Sequence, residues 1–402
     1  MPPDQLSFKR ALRIAFDDPL RALVLLWQHV HVQGNLETGL NRPLCERQAD
    51  EGRLALERGQ TLPSIHPAAA LRAVDLYLAG LSLGHGPIAR KVVMSAGAEG
   101  TFWVISRRTG WSSRIAESQC GHPEYWLRHF QVVPAAHKGI TISVRPAPRT
   151  LVKPSNKNLA FLAGGFLDGV LPDWNATSPF RCQVLKDPTL RWSSVEALLS
   201  SAAKAGAAIV VLPELTVDAE VRERIRTWLR ETTRESQFAL VVAGSFHEDR
   251  GGARRNVAYV FDDDGNEVLQ HVKLRPMRAM PDEEWVEEDI EGGALVSLMH
   301  AWFGLVGVAI CLDFCECGNV PVTDLWRETG PALMLIPSMG TTPTNSAHRR
   351  KTEELARLHG TVAVVASQHG QIAEAFGILF DGSKTTHEDR PLLNGKLPWT
   401  HE

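Results

Sequence analysis

The sequence contains few cysteines, no excess of basic residues and no long apolar run. Six cysteines among 402 residues are too sparse for a disulfide scaffold, so we expect free thiols in a reducing cytoplasm. Lysine and arginine together number 43 against 46 acidic residues, whereas a protein that binds nucleic acid through its overall charge needs a basic excess. No run approaches the roughly 18 apolar residues of a membrane helix. Nucleic-acid and membrane partners are therefore not expected.

The first twenty residues also lack the apolar core of a signal peptide, and they carry Asp4, Asp17 and Asp18. We therefore expect no secretion and predict a cytoplasmic protein. The composition that is present, 44% apolar and 22% charged residues, is typical of globular proteins and argues against a disordered or fibrous chain. The length favours two domains.

The first of these domains, residues 1–145, is predicted to be mainly helical, and no motif indicates its role. Apolar residues recur at helical spacing in three segments, and two short strand-like segments follow them. The predicted helices lie around 8–16, 20–27 and 68–83, and the predicted strands at 101–106 and 140–144.

A proline-rich segment comes next, with Pro146, Pro148 and Pro154 among basic and polar residues. Proline lacks an N–H group and resists both helices and central strands, so residues 146–158 are predicted to be a linker. From 159 to 402 the pattern changes to helices alternating with short, apolar, β-branched strands. This pattern predicts a layered α/β domain that contains some antiparallel pairs.

Two helix starts are indicated in this second domain. Ser193 and Glu196 have the spacing of a capping box, which predicts a helix beginning there. Asp218 can cap the following helix, because its side-chain oxygen can accept from the first free backbone N–H groups.

Three predicted strands of the second domain each end in a reactive side chain. Glu214 follows an apolar strand and a proline, Lys273 ends a hairpin strand, and Cys311 stands where a buried strand must turn. Charged groups are seldom buried without a partner, so Glu214 and Lys273 are expected to pair. A thiol beside a carboxylate and an ammonium is the combination needed for covalent acyl chemistry.

Each of these residues has a structural explanation when it is considered alone. Glu214 fits a capping or paired carboxylate, and Lys273 fits a strand-end lysine whose ammonium reaches solvent. Cys311 fits an inert core thiol, since free cysteine packs as a small hydrophobe. Their occurrence together, each at a strand end, favours catalysis.

A zinc site is a second interpretation of the clustered cysteines. Cys311, Cys315 and Cys317 are close enough in sequence to bind zinc, but a structural zinc site needs four ligands. His300 is the nearest candidate for the fourth, and it lies across the apolar strand from the thiols.

Several segments around the three reactive residues form an ordered pattern: 205–214 at Glu214, 256–260 and 264–274 at Lys273, 307–313 at Cys311, and then 335–338 and 361–368. This pattern resembles the signatures of the nitrilase superfamily, the carbon–nitrogen hydrolases, over residues 159–385. The resemblance implies an αββα sandwich, often paired into a dimer, and a metal-free Cys-Glu-Lys site without a cofactor.

The resemblance also implies roles for individual residues. Cys311 would be the nucleophile, Glu214 the general base, and Lys273 a stabiliser of the oxyanion together with the backbone N–H of Leu312. Many members of the family use a second glutamate after the lysine. The acidic run 282–288 supplies candidates, of which Glu284 is favoured and Glu283 comes next.

Two further features bear on assembly and binding. After Gln368 the chain keeps little of the family's usual carboxy-terminal strand and tail, which puts the usual dimer in doubt. The run from His348 to Lys351 is a basic cluster at a helix start. It is interpreted as a solvated helical face, with an acidic substrate group or a partner's phosphate as the alternative.

The function expected from these features is a thiol hydrolase that cleaves a non-peptide C–N bond. The substrate would be a small-molecule amide, with a nitrile as the alternative, and the protein would form a homo-oligomer. Two other classes stay open. One is a regulatory or defence-type effector module, in which residues 1–145 dock or sense a protein partner. The other is a catalytically inactive scaffold.

Overall fold

The computed structural model describes most of the chain in separate ranges. These are residues 3–33, 42–82, 89–94, 100–107, 123–148, 151, 160–164, 172–174, 180–185, 187–232, 238–279, 286–315, 322–340, 342–368, 376–380, 385–388 and 392–396. No helix in these ranges is long and apolar enough to cross a membrane.

The amino-terminal region consists of helices packed on a small antiparallel sheet. Its helices are α1 (Pro3–Ile14), α2 (Pro19–Gln33), α3 (Arg42–Glu57), α4 (Pro67–Ser82) and the short α5 (Pro123–Trp126), and its strands are β1 (Ala89–Met94), β2 (Gly100–Ser106) and β3 (Phe130–Pro134). Their apolar faces form one buried cluster that includes Trp27, Leu71 and Trp126. The prediction of a mainly helical region is confirmed. Helix α3 was not predicted, because few of its residues are apolar.

The rest of the chain forms helices on two larger sheets. The helices are α6 (Pro188–Lys204), α7 (Ala219–Thr232), α8 (Leu312–Cys315), α9 (Val322–Thr329) and α10 (Thr342–His359). The strands are β4 (Ala136–His137), β5 (Ile140–Pro146), β6 (Ala160–Gly164), β7 (Pro172–Trp174), β8 (Cys182–Leu185), β9 (Ile209–Val211), β10 (Leu240–Arg250), β11 (Ala253–Phe261), β12 (Glu267–Val272), β13 (Arg278–Ala279), β14 (Val286–Glu287), β15 (Leu295–Ala301), β16 (Gly304–Val308), β17 (Leu333–Ser338), β18 (Val362–Ser367), β19 (Phe376–Phe380), β20 (Thr385–Glu388) and β21 (Leu392–Lys396).

The two sheets face each other and carry helices on their outer sides. One has the strand order β12-β11-β10-β9-β6-β21 and the other β20-β19-β18-β17-β16-β15-β5-β4. Residues such as Val211, Val242, Val308 and Leu335 fill the space between them. Buried residues of α6 and α7 pack on the outer face of the first sheet, and those of α8, α9 and α10 on that of the second. This arrangement confirms the predicted αββα sandwich, in which each sheet buries both faces.

The predicted linker needs a correction at the positions that the structure describes. Strand β5 runs through the expected boundary and pairs in parallel with β15, with Pro146 opposite His300. Ala147 and Leu151 are buried in the core between the sheets. Pro146 is tolerated because it is the last residue of its strand, where the loss of one N–H costs little. The segment is therefore packed against the sandwich at these positions.

The amino-terminal region also contacts the outer helix layer of the sandwich. Gln131 Nε2 donates to the carbonyl oxygen of Gly330 at 3.0 Å, and Lys138 Nζ lies 2.7 Å from a carboxylate oxygen of Asp324. Ile105 and Val133 of the small sheet belong to the same buried cluster as the outer helices. The two parts of the chain therefore share apolar core as well as polar contacts.

Helix α6 begins earlier than the capping box predicts. Asp187 is its N-cap, with a carboxylate oxygen accepting from the backbone N–H of Leu190 at 2.8 Å, and a proline opens the helix. Ser193 lies inside the helix, where its hydroxyl donates to the carbonyl of Thr189 at 3.1 Å. The capping-box prediction is therefore wrong, whereas Asp218 caps α7 as predicted, accepting from Val221 N at 2.9 Å.

The chain after Gln368 contributes more strand than predicted. Strand β19 pairs antiparallel with β18 and then with β20 in the eight-stranded sheet. Strand β21 pairs with β6 at the edge of the six-stranded sheet. The carboxy-terminal segment thus spans both sheets, and the expectation that little of the carboxy-terminal strand is kept is wrong.

Candidate active site

Three strand ends meet at one edge of the sandwich. Glu214 follows β9, and Lys273 follows β12, both in the six-stranded sheet; Cys311 follows β16 in the eight-stranded sheet. The backbone N–H of Glu214 donates across to the carbonyl of Ser338, at the end of β17, at 3.3 Å. The three predicted side chains are therefore brought together, and all three are buried.

Lys273 lies between two carboxylates. Its Nζ donates to Glu214 Oε1 at 2.8 Å and to Glu288 Oε2 at 2.6 Å. None of the three side chains is more than 3% exposed. Two acidic groups thus share one ammonium away from water, where the removal of a single partner leaves an uncompensated charge.

Neutral donors hold the two carboxylates in place. Asn256 Nδ2 lies 3.0 Å from Glu214 Oε1 and 2.9 Å from Glu288 Oε1, so one amide bridges both. His247 Nε2 is 2.9 Å from Glu288 Oε1. The backbone N–H of Cys182 donates to His247 Nδ1 at 3.0 Å. Because Nδ1 accepts that bond, the ring proton must be on Nε2, which donates to Glu288.

Burial and the shared ammonium of Lys273 determine the pKa values of Glu214 and Glu288. Burial raises the pKa of Glu214, with Lys273 opposing and Glu288 adding to the rise. Burial would also raise the pKa of Glu288, but Lys273 and the hydrogen bond from His247 outweigh it and lower that pKa to about 2. The pKa of Lys273 is raised well above its ordinary value because the two carboxylates outweigh the effect of burial. Of the two carboxyl groups, Glu214 is therefore the one whose raised pKa makes it the better proton acceptor.

Cys311 occupies a sharp turn at the end of its strand. Its φ is +48°, a left-handed conformation that costs a non-glycine residue on the order of 1 kcal/mol. Its backbone N–H donates to the carbonyl of Pro337 at 2.8 Å, which fixes the turn against the next strand. The thiol hydrogen-bonds to Glu214. Burial and the charge of Glu214 raise the pKa of the thiol to about 12, with Lys273 opposing.

Asp313 connects the turn at Cys311 to the strand end at Lys273. Its Oδ2 lies 3.0 Å from His271 Nε2 and accepts the backbone N–H of Leu274 at 2.8 Å. Asp313 and His271 flank the predicted residues by two positions each, yet they were not singled out from the sequence. Their signal in the sequence was an ionisable residue next to a buried strand end.

The acidic run contributes Glu288, not a residue that was favoured from spacing. Glu283 and Glu284 lie outside the described residues. Glu288 is held by backbone as well as side-chain bonds: its N–H donates to the carbonyl of Met277 at 2.8 Å, and its Oε2 accepts the Met277 N–H at 2.8 Å. Sequence spacing could not single it out, because this loop conformation depends on distant segments.

The residues of the zinc interpretation do not come together in the part of the chain that the structure describes. His300 Nε2 lies 3.1 Å from the carbonyl oxygen of Ser106 instead, and Cys317 is outside the described residues. Within the described ranges no group of three or more His, Cys, Asp or Glu side chains is placed to hold a metal ion.

The basic cluster at the start of α10 does not form one solvated face. His348 is fully buried and Lys351 is 8% exposed, whereas Arg349 and Arg350 are exposed. The prediction failed because consecutive helical residues point in different directions, so that two of the four face the core.

Comparison with known proteins gives a family match over the segment that contains the site. Residues 181–314 match the family model described as carbon-nitrogen hydrolase. This span includes Glu214, Lys273, Glu288 and Cys311. No curated protein sequence matches the chain.

Solved structures with detectable similarity include an amidase from Nesterenkonia sp., 16% identical, with a TM-score of 0.43 over 61% of this chain and 92% of that chain. Nit3 of Saccharomyces cerevisiae, a member of branch 10 of the nitrilase superfamily, is 17% identical, with a TM-score of 0.42 over 62% and 92%. The C. elegans NitFhit protein is 16% identical, with a TM-score of 0.45 over 60% and 61%. The family match over residues 181–314 confirms the resemblance of this part of the chain to the carbon–nitrogen hydrolases, and residues 1–145 lie outside it.

Proposed function

We propose that the protein is a thiol hydrolase that cleaves a non-peptide carbon–nitrogen bond, with a small-molecule amide as substrate. The observation that carries the proposal is the convergence of Cys311, Glu214 and Lys273 in one buried cluster. The carboxylate and the ammonium are each costly to bury alone, and together with the thiol they supply a base, a positive charge and a nucleophile.

Acylation begins with attack of Cys311 Sγ on the amide carbon, and Glu214 accepts the thiol proton as the C–S bond forms. A raised thiol pKa and a hydrogen bond to Glu214 keep the resting sulfur protonated until a substrate binds. Collapse of the tetrahedral intermediate breaks the C–N bond, and Glu214 returns the proton to the departing nitrogen. The products of this half-reaction are a thioester on Cys311 and ammonia or an amine.

Lys273 and the backbone N–H of Leu312 stabilise the oxyanion. An ammonium has three N–H donors, and two of those of Lys273 point at Glu214 and Glu288. The third is left for the substrate oxygen. The charge is already desolvated and oriented before substrate arrives, which is the condition under which such donors contribute most.

We assign the second acidic role to Glu288 in preference to Glu284. Glu288 keeps Lys273 charged and holds its ammonium in place, since it is itself fixed by His247, Asn256 and a backbone N–H. Its low pKa leaves it ionised throughout the reaction, so it does not compete with Glu214 for protons.

Deacylation reverses the proton transfers. Water attacks the thioester carbon while Glu214 takes one of its protons, the C–S bond breaks, and the sulfur recovers the proton from Glu214. The free acid leaves. The presence of Glu214 and Lys273 beside Cys311 argues against an inactive scaffold. Buried charged groups lower the stability of a fold, and an inactive scaffold would gain nothing from them.

We also propose a cytoplasmic location, because the thiol must stay reduced to act. Cys311 is not part of a disulfide bond. A homo-oligomer and a protein partner docked on residues 1–145 are parts of the same proposal. Size-exclusion chromatography with light scattering, together with affinity purification of the full chain, tests both.

Release of ammonia from a panel of small aliphatic and aromatic amides tests the proposed activity. We expect one or more amides to be hydrolysed by the wild type and none by Cys311→Ala. Cys315→Ser serves as the matched control, because that thiol lies one turn away. Nitriles in the same panel distinguish the two substrate classes. Turnover that survives in Cys311→Ala would contradict the proposal.

A further inference from the structure

Two polar side chains behind Cys311 have no part in the mechanism above. Ser338 ends β17 and His348 lies on α10, and both are fully buried. Ser338 Oγ lies 3.4 Å from Cys311 Sγ as a donor and 3.1 Å from His348 Nε2. The three groups form a short chain of side-chain hydrogen bonds that reaches the sulfur without a side-chain bond to Glu214 or Lys273.

The backbone holds Ser338 rigidly beside the sulfur. Its carbonyl oxygen accepts the N–H of Glu214 at 3.3 Å and the N–H of Gln368 at 3.2 Å, and the preceding carbonyl accepts the N–H of Cys311 at 2.8 Å. The imidazole of His348 is fixed as well, because its ring stacks on Phe314 with the centroids 5.9 Å apart. The chain is therefore preorganised.

The direction of the hydrogen bonds follows from counting protons. Burial lowers the pKa of His348 to about 3, so the imidazole is neutral and carries one proton. Its Nδ1 is buried without a hydrogen-bond partner among the described residues. A proton on Nδ1 would be an unpaired buried donor, which is costly. The proton therefore belongs on Nε2, where it is donated to Ser338 Oγ at 3.1 Å, since the other neighbour of Nε2, Cys315 Sγ, is farther away at 3.9 Å.

This tautomer decides what Ser338 does with its single hydrogen. If Nε2 were an acceptor, the hydroxyl would turn to His348, and the sulfur would keep only the backbone N–H of Met339 as a neutral donor. With Nε2 as the donor, the hydroxyl accepts from His348 and donates to Cys311 Sγ. All the hydrogen bonds then point toward the sulfur, and each one strengthens the next.

We propose that Ser338 and His348 form a hydrogen-bond relay that stabilises negative charge on Cys311 Sγ, with Ser338 as a catalytic residue and His348 as a positioning residue. The proposal rests on the assignment of Cys311 as the nucleophile under the proposed function. The groups that face the sulfur are then Glu214, Lys273, Ser338 and the backbone N–H of Met339. The relay offsets part of the cost of forming negative charge on a buried sulfur.

The rate of alkylation of Cys311 by iodoacetamide, measured across pH, tests the relay. The modified residue is located by peptide fragmentation, with Cys311→Ala as the blank. A hydrogen bond to a charged group corresponds to roughly a 10- to 100-fold effect. We expect Ser338→Ala and His348→Leu to slow alkylation at neutral pH by about that factor and to move the pH profile to higher pH. His348→Gln should recover most of the rate, because its amide N–H can replace the Nε2 donor.

Thr352→Val is the matched control. Thr352 lies one turn further along α10, is fully buried, and its hydroxyl has no partner among the described residues, so this variant perturbs packing of the same helix without touching the relay. Thermal unfolding of every variant separates loss of fold from loss of the relay. If His348→Leu does not fold, Ser338→Ala and His348→Gln carry the test.

The alkylation assay does not need turnover, so the two proposals can fail separately. Alkylation of Ser338→Ala at the wild-type rate and with the wild-type pH profile would overturn the relay, even if amides are hydrolysed. Equal losses in His348→Leu and His348→Gln would overturn the role of the Nε2 donor. If these substitutions slow the alkylation of Cys311 but the wild type hydrolyses no amide or nitrile, the relay stands and the proposed function is contradicted.

Discussion

Lys273 Nζ lies 2.8 Å from Glu214 Oε1, and the two side chains are 1% and 3% exposed. The ammonium is also 2.6 Å from Glu288 Oε2. One positive charge is therefore set against two buried negative charges. The arrangement makes the lysine structural as well as catalytic, because without it two carboxylates that share Asn256 would face each other in a dry site.

Lys273→Met should destabilise the fold as well as stop turnover. Breaking a buried ion pair by removing one partner costs about 3–5 kcal/mol. The double variant Lys273→Met with Glu288→Gln should recover part of that loss, since it removes one of the two unpaired charges. Denaturant unfolding of both variants measures the difference. A Lys273→Met protein as stable as the wild type would show that the ammonium does not hold the carboxylates.

Glu288→Gln should lower kcat/KM by about 10²-fold or more, the size of effect seen when one preorganised charge-stabilising group is lost. The adjacent Glu287→Gln is the matched control, because Glu287 is 44% exposed and pairs only with the exposed Arg278 among the described contacts. Its activity should stay near that of the wild type. Equal kcat/KM values of the two variants would show that Glu288 has no role in catalysis.

The activity should depend on pH mainly through Glu214. The base must be ionised, and burial raises its pKa above the ordinary 4.5, so kcat/KM should fall as the pH drops through that raised pKa. On the alkaline side Cys311 titrates only at about 12 and Lys273 above its ordinary 10.5. The rate should therefore stay level well into alkaline pH. A change in kcat/KM near pH 9.0, the ordinary pKa of a thiol, would indicate that the Cys311 thiol titrates independently of Glu214.

Gly244→Ala should displace the turn that carries Glu214. Gly244 has φ +56°, and a Cβ there would lie 2.3 Å from the carbonyl oxygen of Pro213. We expect a loss of roughly 1–3 kcal/mol of stability from the clash and strain, together with reduced activity. Gly206→Ala is the control, since its φ is +69° but nothing lies within 4 Å of the added Cβ. Similar stability and activity in the two variants would mean that the close contact between Gly244 and the carbonyl of Pro213 does not position Glu214.

The positions of Glu214, Lys273 and Cys311 could be predicted because each lies at the end of a strand, and the strand pattern is local information in the sequence. The layered α/β fold could be predicted for the same reason. The position of Glu288 could not be predicted, because Glu288 forms an isolated β-bridge with Phe180, which is far away in the sequence.

Other errors came from local patterns that tertiary structure overrides. Strand β5 was predicted as a strand. Its partner β15 is about 150 residues later in the sequence, so the local pattern could not show that β5 belongs to the eight-stranded sheet. Ser193 and Glu196 matched a capping box inside a helix that Asp187 already starts. His348 looked like one member of a charged run, and only helix packing shows that it faces Cys311 through Ser338.

The intact mass of the protein during turnover tests the central claim most directly. The wild type is mixed with an amide that it hydrolyses, quenched in acid, and its mass is recorded over time. We predict an increase equal to one acyl group, located on Cys311 by fragmentation, absent in Cys311→Ala and retained in Cys315→Ser. Hydrolysis by the wild type without any acyl adduct on Cys311 under any quench condition, or an adduct on another residue, would contradict the account.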